Sequence, residues 1–449
     1  MKRFILILSA AILAFGSFNA SAAEKAEPKN NFKIYGFIRN YFTFDSRESV
    51  SGTGDLFYYI PKDVNMKDGI DINDQASFTY LSLTSRLGVD VSGYYVGNAH
   101  FTAKIEGDFY SGLSNSSNTE KAGLYFPGNT KVSGTATARL RQAFVTVTWK
   151  ELGEQKKNSV ALKMGQAWHP MAADMPHIFS LEAGAPFGPF SRTPQVTMDA
   201  SLGSNWVVSA SALWQMQYQS SGPIGASATY MKYGMTPEIY AGLTYKSNGF
   251  LMRAGADVLS IKPRVLGQLD GKTVKVSDRK TSVLGYVYAQ YTYKNFGVKA
   301  KTTFGEGGEH MNLMSGYAKI GETADGSWEY ASMRNSSSWL SLTYGKKWQG
   351  VLFLGYVKNL GLAEPAATPL AKGDVYFCGN GFSNLNQVYR INPQIIYNVG
   401  KMNIGLEYQW TAVQYGGYEN GNLDAYALAK NNLEWVGNNR INMMVKFNF

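Results

Sequence analysis

The sequence predicts an all-β fold, a transmembrane antiparallel up-and-down β-barrel of about 16 strands. Successive segments along most of the chain alternate apolar and polar residues, as strands with two unlike faces do. Short Gly-containing turns alternate with long polar connections, which predicts turns at one end of the barrel and loops at the other. No apolar run beyond the N-terminus is long enough for a spanning helix, so a membrane crossing requires a closed barrel that pairs every backbone group.

The N-terminus predicts export. Lys2 and Arg3 precede an apolar run that is too short to span a bilayer, and the small residues Ala20-Ser21-Ala22 follow it. This pattern predicts a secretory signal peptide at residues 1–22. Residues 23–31 are then a short N-terminal segment, and residues 32–449 form a single barrel domain. We expect no plug domain of the kind that energised transporters carry.

Composition supports this interpretation and excludes some classes of function. Aromatic residues make up 14% of the chain, with 29 Tyr and 47 Gly, which suits interfacial girdles and tight turns. Without Lys2 and Arg3 the formal charge of +10 falls to +8, a mild preference for anions. The basic residues are spread along the strands, so nucleic-acid binding is not expected. Cys378, the one cysteine, excludes an internal disulfide and is expected to be inert.

The first strands show the two faces most clearly. Phe32 to Phe44 places aromatic and aliphatic residues on one face and Lys33, Arg39 and Thr43 on the other. The next two strands are expected at about Phe78 to Val91 and His100 to Tyr110. Their predicted outward residues include Leu81, Leu83, Leu87, Val89, Val91, Ile105 and Phe109, and their predicted inward residues include Ser82, Thr84, Arg86, Asp90, Lys104, Glu106 and Asp108.

The last ten residues, 440–449, form the clearest single strand. Ile441, Met443 and the odd positions up to Phe449 are apolar, whereas the even positions are polar apart from Met444. A C-terminal strand that ends on Phe resembles the assembly signal of bacterial outer-membrane barrels. In an earlier strand Pro393 falls among the lipid-facing residues, and we expect a local bulge there because proline has no N–H to donate.

Several motifs, in order along the chain, resemble one family. They are Leu81-Ser-Leu-Thr-Ser-Arg-Leu-Gly88, Ala103-Lys-Ile-Glu-Gly-Asp-Phe109, Arg139-Leu-Arg-Gln-Ala-Phe144, Met164-Gly-Gln-Ala-Trp168 and Arg192-Thr-Pro-Gln-Val196. Together they resemble the DcaP-type outer-membrane porins, trimeric channels for small anionic solutes. The resemblance implies a homotrimer in the bacterial outer membrane, with its short turns in the periplasm and its outer wall in contact with lipid and lipopolysaccharide.

In a barrel of this size a loop folded inward sets the narrowest cross-section. The best candidate is residues 169–192, a stretch rich in Pro, Gly and aromatic residues that carries only Asp174, Glu182 and Arg192 as formal charges. The side chains predicted to line the pore and set its selectivity are Arg39, Arg86, Lys104, Glu106, Asp108, Arg139, Arg141, Arg253, Arg390 and Arg440.

The arginines allow two interpretations. They form a basic ladder that attracts carboxylates or phosphates, or they pair with Glu106, Asp108, Asp257 and Glu407 to brace the wall. Both stay open at this stage. The strand of Arg139 and Arg141 is the least clear, because alternation places its Gln142 and Thr146 on the lipid side.

Two classes of function fit the sequence. The first is a porin for passive diffusion of small hydrophilic, anionic solutes; the second is a barrel that serves as a platform for surface loops that bind a ligand or a host surface. A barrel-embedded hydrolase is less expected, since no nucleophile-elbow motif is present. We expect no catalytic residue, cofactor or metal, because no spacing among the four histidines suits a zinc site. Asp68, Asp71 and Asp74 offer oxygen ligands to calcium but lack the order of an EF-hand, which favours a solvated acidic loop.

Overall fold

A computed structural model describes residues 31–111, 136–378 and 383–449. Sixteen antiparallel strands close into a barrel in these residues, so the predicted fold class is confirmed. The predicted signal peptide at 1–22 lies outside the described residues, as does most of the second long connection. Segment 23–31 does too, except that Asn31 is the first residue of the barrel.

The barrel strands vary in length, and the second is built from two pieces. Their bounds are β1 Asn31–Asp45, β2 Ser77–Leu81 with Arg86–Val96, β3 Ala99–Ser111, β4 Ala136–Leu152, β5 Asn158–Trp168, β6 Arg192–Leu202, β7 Trp206–Leu213, β8 Glu238–Ser247, β9 Phe250–Ile261, β10 Lys280–Tyr293, β11 Phe296–Glu306, β12 Trp328–Gly345, β13 Trp348–Leu362, β14 Leu385–Val399, β15 Met402–Gly417 and β16 Asn431–Asn448.

The first and last strands meet in a seam that closes the sheet. The register of β1 against β16 runs from Phe37 opposite Asn448 to Asp45 opposite Arg440. Phe449 exchanges backbone hydrogen bonds with Gly36 (3.2 and 3.1 Å), so the terminal aromatic residue belongs to the ladder. Because β1 starts and β16 ends at the short-turn end, both chain ends of the barrel lie there, as predicted.

The long connections carry their own short elements. They include hairpins of Ser49–Gly52 with Phe57–Pro61, Met66–Lys67 with Ile70–Asp71, and Leu266–Leu269 with Lys272–Lys275; strands Gly316–Glu322, Leu370–Ala371, Val375–Phe377 and Asn422–Leu423; 3-10 turns Pro170–Ala172, Glu309–Met311 and Lys372–Asp374; and helix α1, Thr229–Gly234. Among the described residues no helix is both long and apolar enough to span a membrane.

The outer wall is apolar, with aromatic residues at both rims. Ile34, for example, keeps 68% of its surface exposed, and Leu406 and Ile441 are similarly open. Tyr344 and Trp348 flank a short turn, while the side chains of Tyr389, Trp410 and Trp435 cluster nearer the long loops. An apolar band between aromatic girdles is the surface that a barrel presents to lipid.

A break in β2 reverses the predicted orientation of two leucines. Residues 82–85 leave the ladder, and the two pieces of β2 differ by one residue in their register against β1. Leu81 and Leu83 therefore pack inward against a cluster that contains Phe179, so their predicted outward orientation is wrong. Leu87 lies beyond the break and is exposed on the outer wall as predicted.

A bulge in β4 corrects another predicted face. Asp108 pairs with Arg139, whereas Glu106 pairs with Gln142, so β4 contains one extra residue between these pairs. Gln142 donates to Glu106 (3.3 Å) and therefore lies inside, and alternation carries Thr146 to the same face. The bulge thus lets odd-numbered residues before it and even-numbered residues after it face the inside of the barrel.

The bulge predicted at Pro393 does not form. Pro393 lies opposite Leu352, and the pairing of β14 with β13 continues past it without a shift. The pairing of β14 with β15 is also the same before Pro393, at Ile391, and after it, at Gln394. The prediction was wrong because the strand loses one hydrogen bond at proline without inserting a residue.

Candidate constriction and pore

Residues 169–192, here called the crossing segment, lie inside the barrel. The segment leaves β5 after Trp168 and returns at Arg192, the first residue of β6. Pro170–Ala172 forms a 3-10 turn at its start, and the His169 imidazole accepts a hydrogen bond from the Met171 N–H (Nδ1 to N, 3.1 Å). The rest of the segment has no regular structure, so its position depends on side chains of the barrel wall.

One side of the crossing segment is attached to β9, β11 and β12. Arg253 forms an ion pair with Asp174 at 2.5 Å. Lys301 donates to the carbonyl oxygens of Asp174 (3.1 Å) and Met171, and Lys299 donates to the Met175 carbonyl (3.1 Å). The two lysines of the wall thus satisfy backbone carbonyl groups that have no strand partner, and Arg253 neutralises the Asp174 side chain.

The far side of the segment is attached to β14 and to the seam. The Phe179 N–H donates to Gln394 (3.2 Å), and the Tyr41 hydroxyl donates to the Phe179 carbonyl (2.6 Å). The Phe179 ring packs with Met444, the one apolar residue among the even positions from 440 to 448. Met444 therefore faces inward because it holds the segment.

Glu182 attaches the crossing segment to the wall through a fully buried ion pair. Its carboxylate lies 3.3 Å from Arg390 and accepts a hydrogen bond from Gln409 (2.8 Å), and both charged side chains are fully buried. Arg390 also donates to the carbonyl oxygens of Ala185 (3.4 Å) and Tyr59 (2.7 Å). One guanidinium therefore joins the wall, the crossing segment and the first long connection.

The first long connection and residues 307–327 also fold into the lumen, which the sequence did not predict. The strand Phe57–Pro61 of the first connection is buried at every position, and the Tyr59 hydroxyl donates to the Asn312 carbonyl (2.7 Å). Residues 308–318 are buried as well. The two connections share one hydrophobic core with the crossing segment. The apolar run 56–60 was the signal in the sequence that could have revealed this.

A cavity of about 480 Å³ borders the crossing segment. Its walls are residues 175–181 of the segment together with the inner faces of β1, β2, β4, β5 and β13–β16. Six cationic side chains line it: Arg39, Arg86, Arg139, Arg141, Arg192 and Lys446.

Two carboxylates hold three of these arginines. Arg141 bridges Glu106 (2.9 Å) and Asp108 (2.8 Å), Arg139 binds Asp108 (3.0 Å), and Arg86 lies 3.7 Å from Glu106. Arg139 and Arg141 share the inner face because alternate residues of a strand point the same way, and the bulge in β4 adds Gln142 to that face, where it donates to Glu106. Bracing and pore lining are therefore not exclusive at these residues.

The other three cations form no ion pair with the described residues. Arg39 donates to the Thr84 hydroxyl (2.9 Å). Arg192 stacks on Trp168, with its guanidinium carbon 4.7 Å from the ring centroid. It is 1% exposed, and its Nη1 has no hydrogen-bond partner among the described residues. Lys446 lies 5.5 Å from the Phe37 ring. Aromatic faces compensate part of the desolvation of these cations.

The remaining candidate residues lie elsewhere. Lys104 pairs with Asp90 (2.7 Å), and Arg253 with Asp174. Arg390 is buried under the loops, as is Arg440, which pairs with Asp45 (3.1 Å). Six of the ten predicted pore residues thus do not border this cavity: Lys104, Arg253, Arg390 and Arg440 hold loops or the wall, and Glu106 and Asp108 bind its arginines from behind. Lys446, which was not predicted, does border it.

Two further groups bear on charge. Burial, with a smaller effect of Lys299, lowers the pKa of His177 on the crossing segment to about 4, so this imidazole is neutral at pH 7. In the first connection Asp71 forms an ion pair with Arg47 (2.7 Å) and accepts the backbone N–H groups of Asn65 and Asn73. These protein contacts occupy Asp71, the central residue of the acidic run considered for calcium.

The architecture defines a class: it is the fold of outer-membrane porins. The chain resembles the outer membrane channel DcaP of Acinetobacter baumannii, with 17% identity, a TM-score of 0.64 and coverage of 95% of this chain and 100% of that one. It also resembles an anion-selective porin from Comamonas acidovorans, with 9% identity, a TM-score of 0.53 and coverage of 94% and 100%.

A third similar structure is the outer-membrane expressed OmpT of Vibrio cholerae, with 12% identity, a TM-score of 0.50 and coverage of 95% and 99%. No protein-family model matches the sequence, and no curated protein matches it. The predicted resemblance to DcaP-type porins and the outer-membrane barrel architecture are confirmed at the level of fold.

Proposed function

We propose that this chain forms an outer-membrane channel for passive diffusion of small hydrophilic anions. The observation that carries the proposal is the charge around the cavity. Six cationic side chains line it, and Glu106 and Asp108 are the acids within ion-pair distance of them among the described residues. The predicted constriction role of residues 169–192 and the predicted pore lining are parts of this proposal.

The arrangement suits an anion that passes without being trapped. Low-dielectric walls focus the field of the excess positive charge into the cavity and raise the local anion concentration. A guanidinium such as that of Arg192, held flat on Trp168, presents a planar fork that matches a carboxylate or phosphate. Arg39 and Lys446 offer further contacts along the wall, and several weak sites let an anion leave as readily as it enters.

The charge of the cavity is tested by reversal potentials in planar bilayers under a KCl gradient. We expect wild-type protein to give stable conductance steps with a chloride-leaning reversal potential, and Arg192→Gln to shift that potential toward zero. Arg192 is the variant of choice because it carries no ion pair among the described residues, so its neutralisation leaves the Glu106 and Asp108 network intact. Lys157→Gln, in an exposed short turn, is the control with the same change of charge.

Three results would contradict the proposal. A cation-leaning potential in the wild type, or equal shifts from Arg192→Gln and Lys157→Gln, would rule out the cavity as the anion filter. Folded, heat-modifiable protein that conducts no current would overturn the channel itself and favour a platform for surface loops. The inward packing of three described connections supports the channel over such a platform.

We also propose that the barrel assembles as a homotrimer in the outer membrane, with its apolar wall in lipid and its basic loops near lipopolysaccharide. The support is the fold shared with porins and the exposed apolar band. Multi-angle light scattering of the detergent-solubilised protein, corrected for bound detergent, tests the subunit number, and a monomer mass would contradict the trimer.

A further inference from the structure

A buried cluster of imidazoles and carboxylates lies at the root of the crossing segment. It comprises His169 at the start of the segment, Glu238 at the start of β8, Asp257 in β9 and His310 in the 3-10 turn Glu309–Met311. All four side chains are at most 2% exposed. Residues separated by up to 141 positions in the sequence therefore meet in one place, which is why the spacing of histidines alone predicted no metal site.

The potential ligand atoms of the cluster lie close enough together to surround one ion after small side-chain shifts. The Nε2 atoms of His169 and His310 lie 3.0 and 2.8 Å from the same Oε1 of Glu238, and His169 Nε2 lies 4.0 Å from Asp257 Oδ1. One ligand atom from each of His169, Glu238 and Asp257 fits within 4.8 Å. Tetrahedral Zn²⁺ with bonds of about 2.0–2.2 Å separates its ligand atoms by about 3.3–3.6 Å. That separation lies between the shortest distance in the cluster, 2.8 Å, and the 4.8 Å limit.

Several buried polar atoms of the cluster have no hydrogen-bond partner among the described residues. They are Oε2 of Glu238, Oδ1 of Asp257, both carboxylate oxygens of Glu309 and Nδ1 of His310. Lys280, 3.6 Å from Glu309, is the nearest basic side chain. With all three carboxylates ionised and both imidazoles neutral, the one ammonium leaves a deficit of two positive charges. Buried charges of this kind are paired or bind a metal.

We propose that these residues bind one divalent transition-metal ion, with Zn²⁺ as the representative, through Nε2 of His169, Nε2 of His310 and one oxygen each of Glu238 and Asp257. Imidazole and carboxylate ligands suit this class of ion, and its charge offsets the deficit. The ion would tie the root of the crossing segment to β8, β9 and the sixth long connection, residues 307–327.

Metal binding requires a change of tautomer at both imidazoles, and it costs a backbone contact only at His169. In the metal-free cluster His169 accepts the Met171 N–H at Nδ1, so its Nε2–H donates to Glu238. Coordination through Nε2 moves the proton to Nδ1 and replaces the Met171 contact, which couples the ion to the 3-10 turn Pro170–Ala172. His310 also donates its Nε2–H to Glu238 (2.8 Å), and coordination replaces that bond. Its Nδ1 has no partner among the described residues and can take the proton without displacing another contact.

The test uses tag-free, full-length protein refolded with equimolar or excess Zn²⁺ and then passed through a desalting column. We expect one Zn per chain by elemental analysis, and X-ray absorption spectra with two imidazole nitrogens and two oxygens in the first coordination shell. A wild-type barrel that folds and retains no Zn, or a spectrum without imidazole ligands, overturns the proposal. In that case the two imidazoles bind Glu238 by hydrogen bonds alone.

Matched variants are available because the chain has four histidines, two of them outside the cluster. His310→Ala and Glu238→Gln should retain less than a tenth of the bound Zn, while His100→Ala and His177→Ala should retain all of it. Heat-modifiable migration in gels shows that each variant has folded. Equal retention by His310→Ala and His177→Ala would contradict the proposal, and the wild-type spectrum decides the question if the cluster variants fail to fold.

Discussion

Arg39 in β1 and Lys446 in β16 are direct register partners across the seam that closes the barrel. Like charges that face each other across two strands destabilise a sheet. Both side chains border the cavity, and both lie over the ring of Phe37, with their charged groups 4.9 and 5.5 Å from its centroid. The seam therefore carries a repulsive pair, which is consistent with the proposed passage of anions.

Lys446→Gln should separate stability from function. Removing the repulsion should raise the free energy of unfolding by roughly 0.2–1 kcal/mol, whereas the loss of a cation from the cavity should lower the anion preference. Denaturant titration and reversal potentials measure the two effects. Arg39→Gln should act in the same direction, and the double variant should gain less stability than the sum of the two. A loss of stability with unchanged selectivity would count against a functional role for the pair.

Breaking the ion pair between Glu182 and Arg390 should loosen the crossing segment. Both side chains are fully buried, so Glu182→Gln leaves a guanidinium without its ionic partner. Removing one member of a buried pair costs about 3–5 kcal/mol of stability. We expect that loss in denaturant titrations, together with noisier current in single-channel records. Glu154→Gln, in an exposed short turn, is the control, and an equally small effect of both variants would contradict the anchoring role.

Gly355 tests how closely the crossing segment approaches the wall. A Cβ added there would lie 2.4 Å from Cγ of Phe187, whereas a Cβ at Gly350 in the same strand meets nothing nearer than 4.0 Å. Gly355→Ala should therefore displace Phe187, at a cost of about 1–3 kcal/mol, and change the conductance. Gly350→Ala should leave both nearly unchanged. Equal conductance in the two variants would show that Phe187 does not set the position of the segment.

Local alternation was enough to predict the barrel. The inward orientation of Glu106 and Asp108, for example, depends on their immediate neighbours, because a strand fixes the face of each residue. A single inserted residue defeats this reasoning, as the bulge beside Arg139 and the break before Arg86 show. Alternation carries no information about where one register ends and another begins.

The contacts that the loops make inside the barrel were beyond prediction for a different reason. Tyr59 meets Asn312, and Glu182 meets Arg390, across sequence separations of more than 200 residues. Nothing near Tyr59 in the sequence specifies that partner. The same reason hid Lys446, which borders the cavity only because the seam places it beside Arg39.

Cys378 should be unreactive in the folded barrel. It is buried beside the Tyr59 hydroxyl (3.6 Å), and burial raises the pKa of its thiol to about 12. At pH 8 the reactive thiolate is then about one part in ten thousand, in addition to the steric barrier. We expect Ellman's reagent to label one thiol per chain only after denaturation.

Ser204→Cys, in an exposed short turn, supplies the positive control and should add one thiol that reacts in the native state. Native wild-type protein that reacted as fast as this variant would show that the inner core formed by the loops opens readily, since Cys378 belongs to that core.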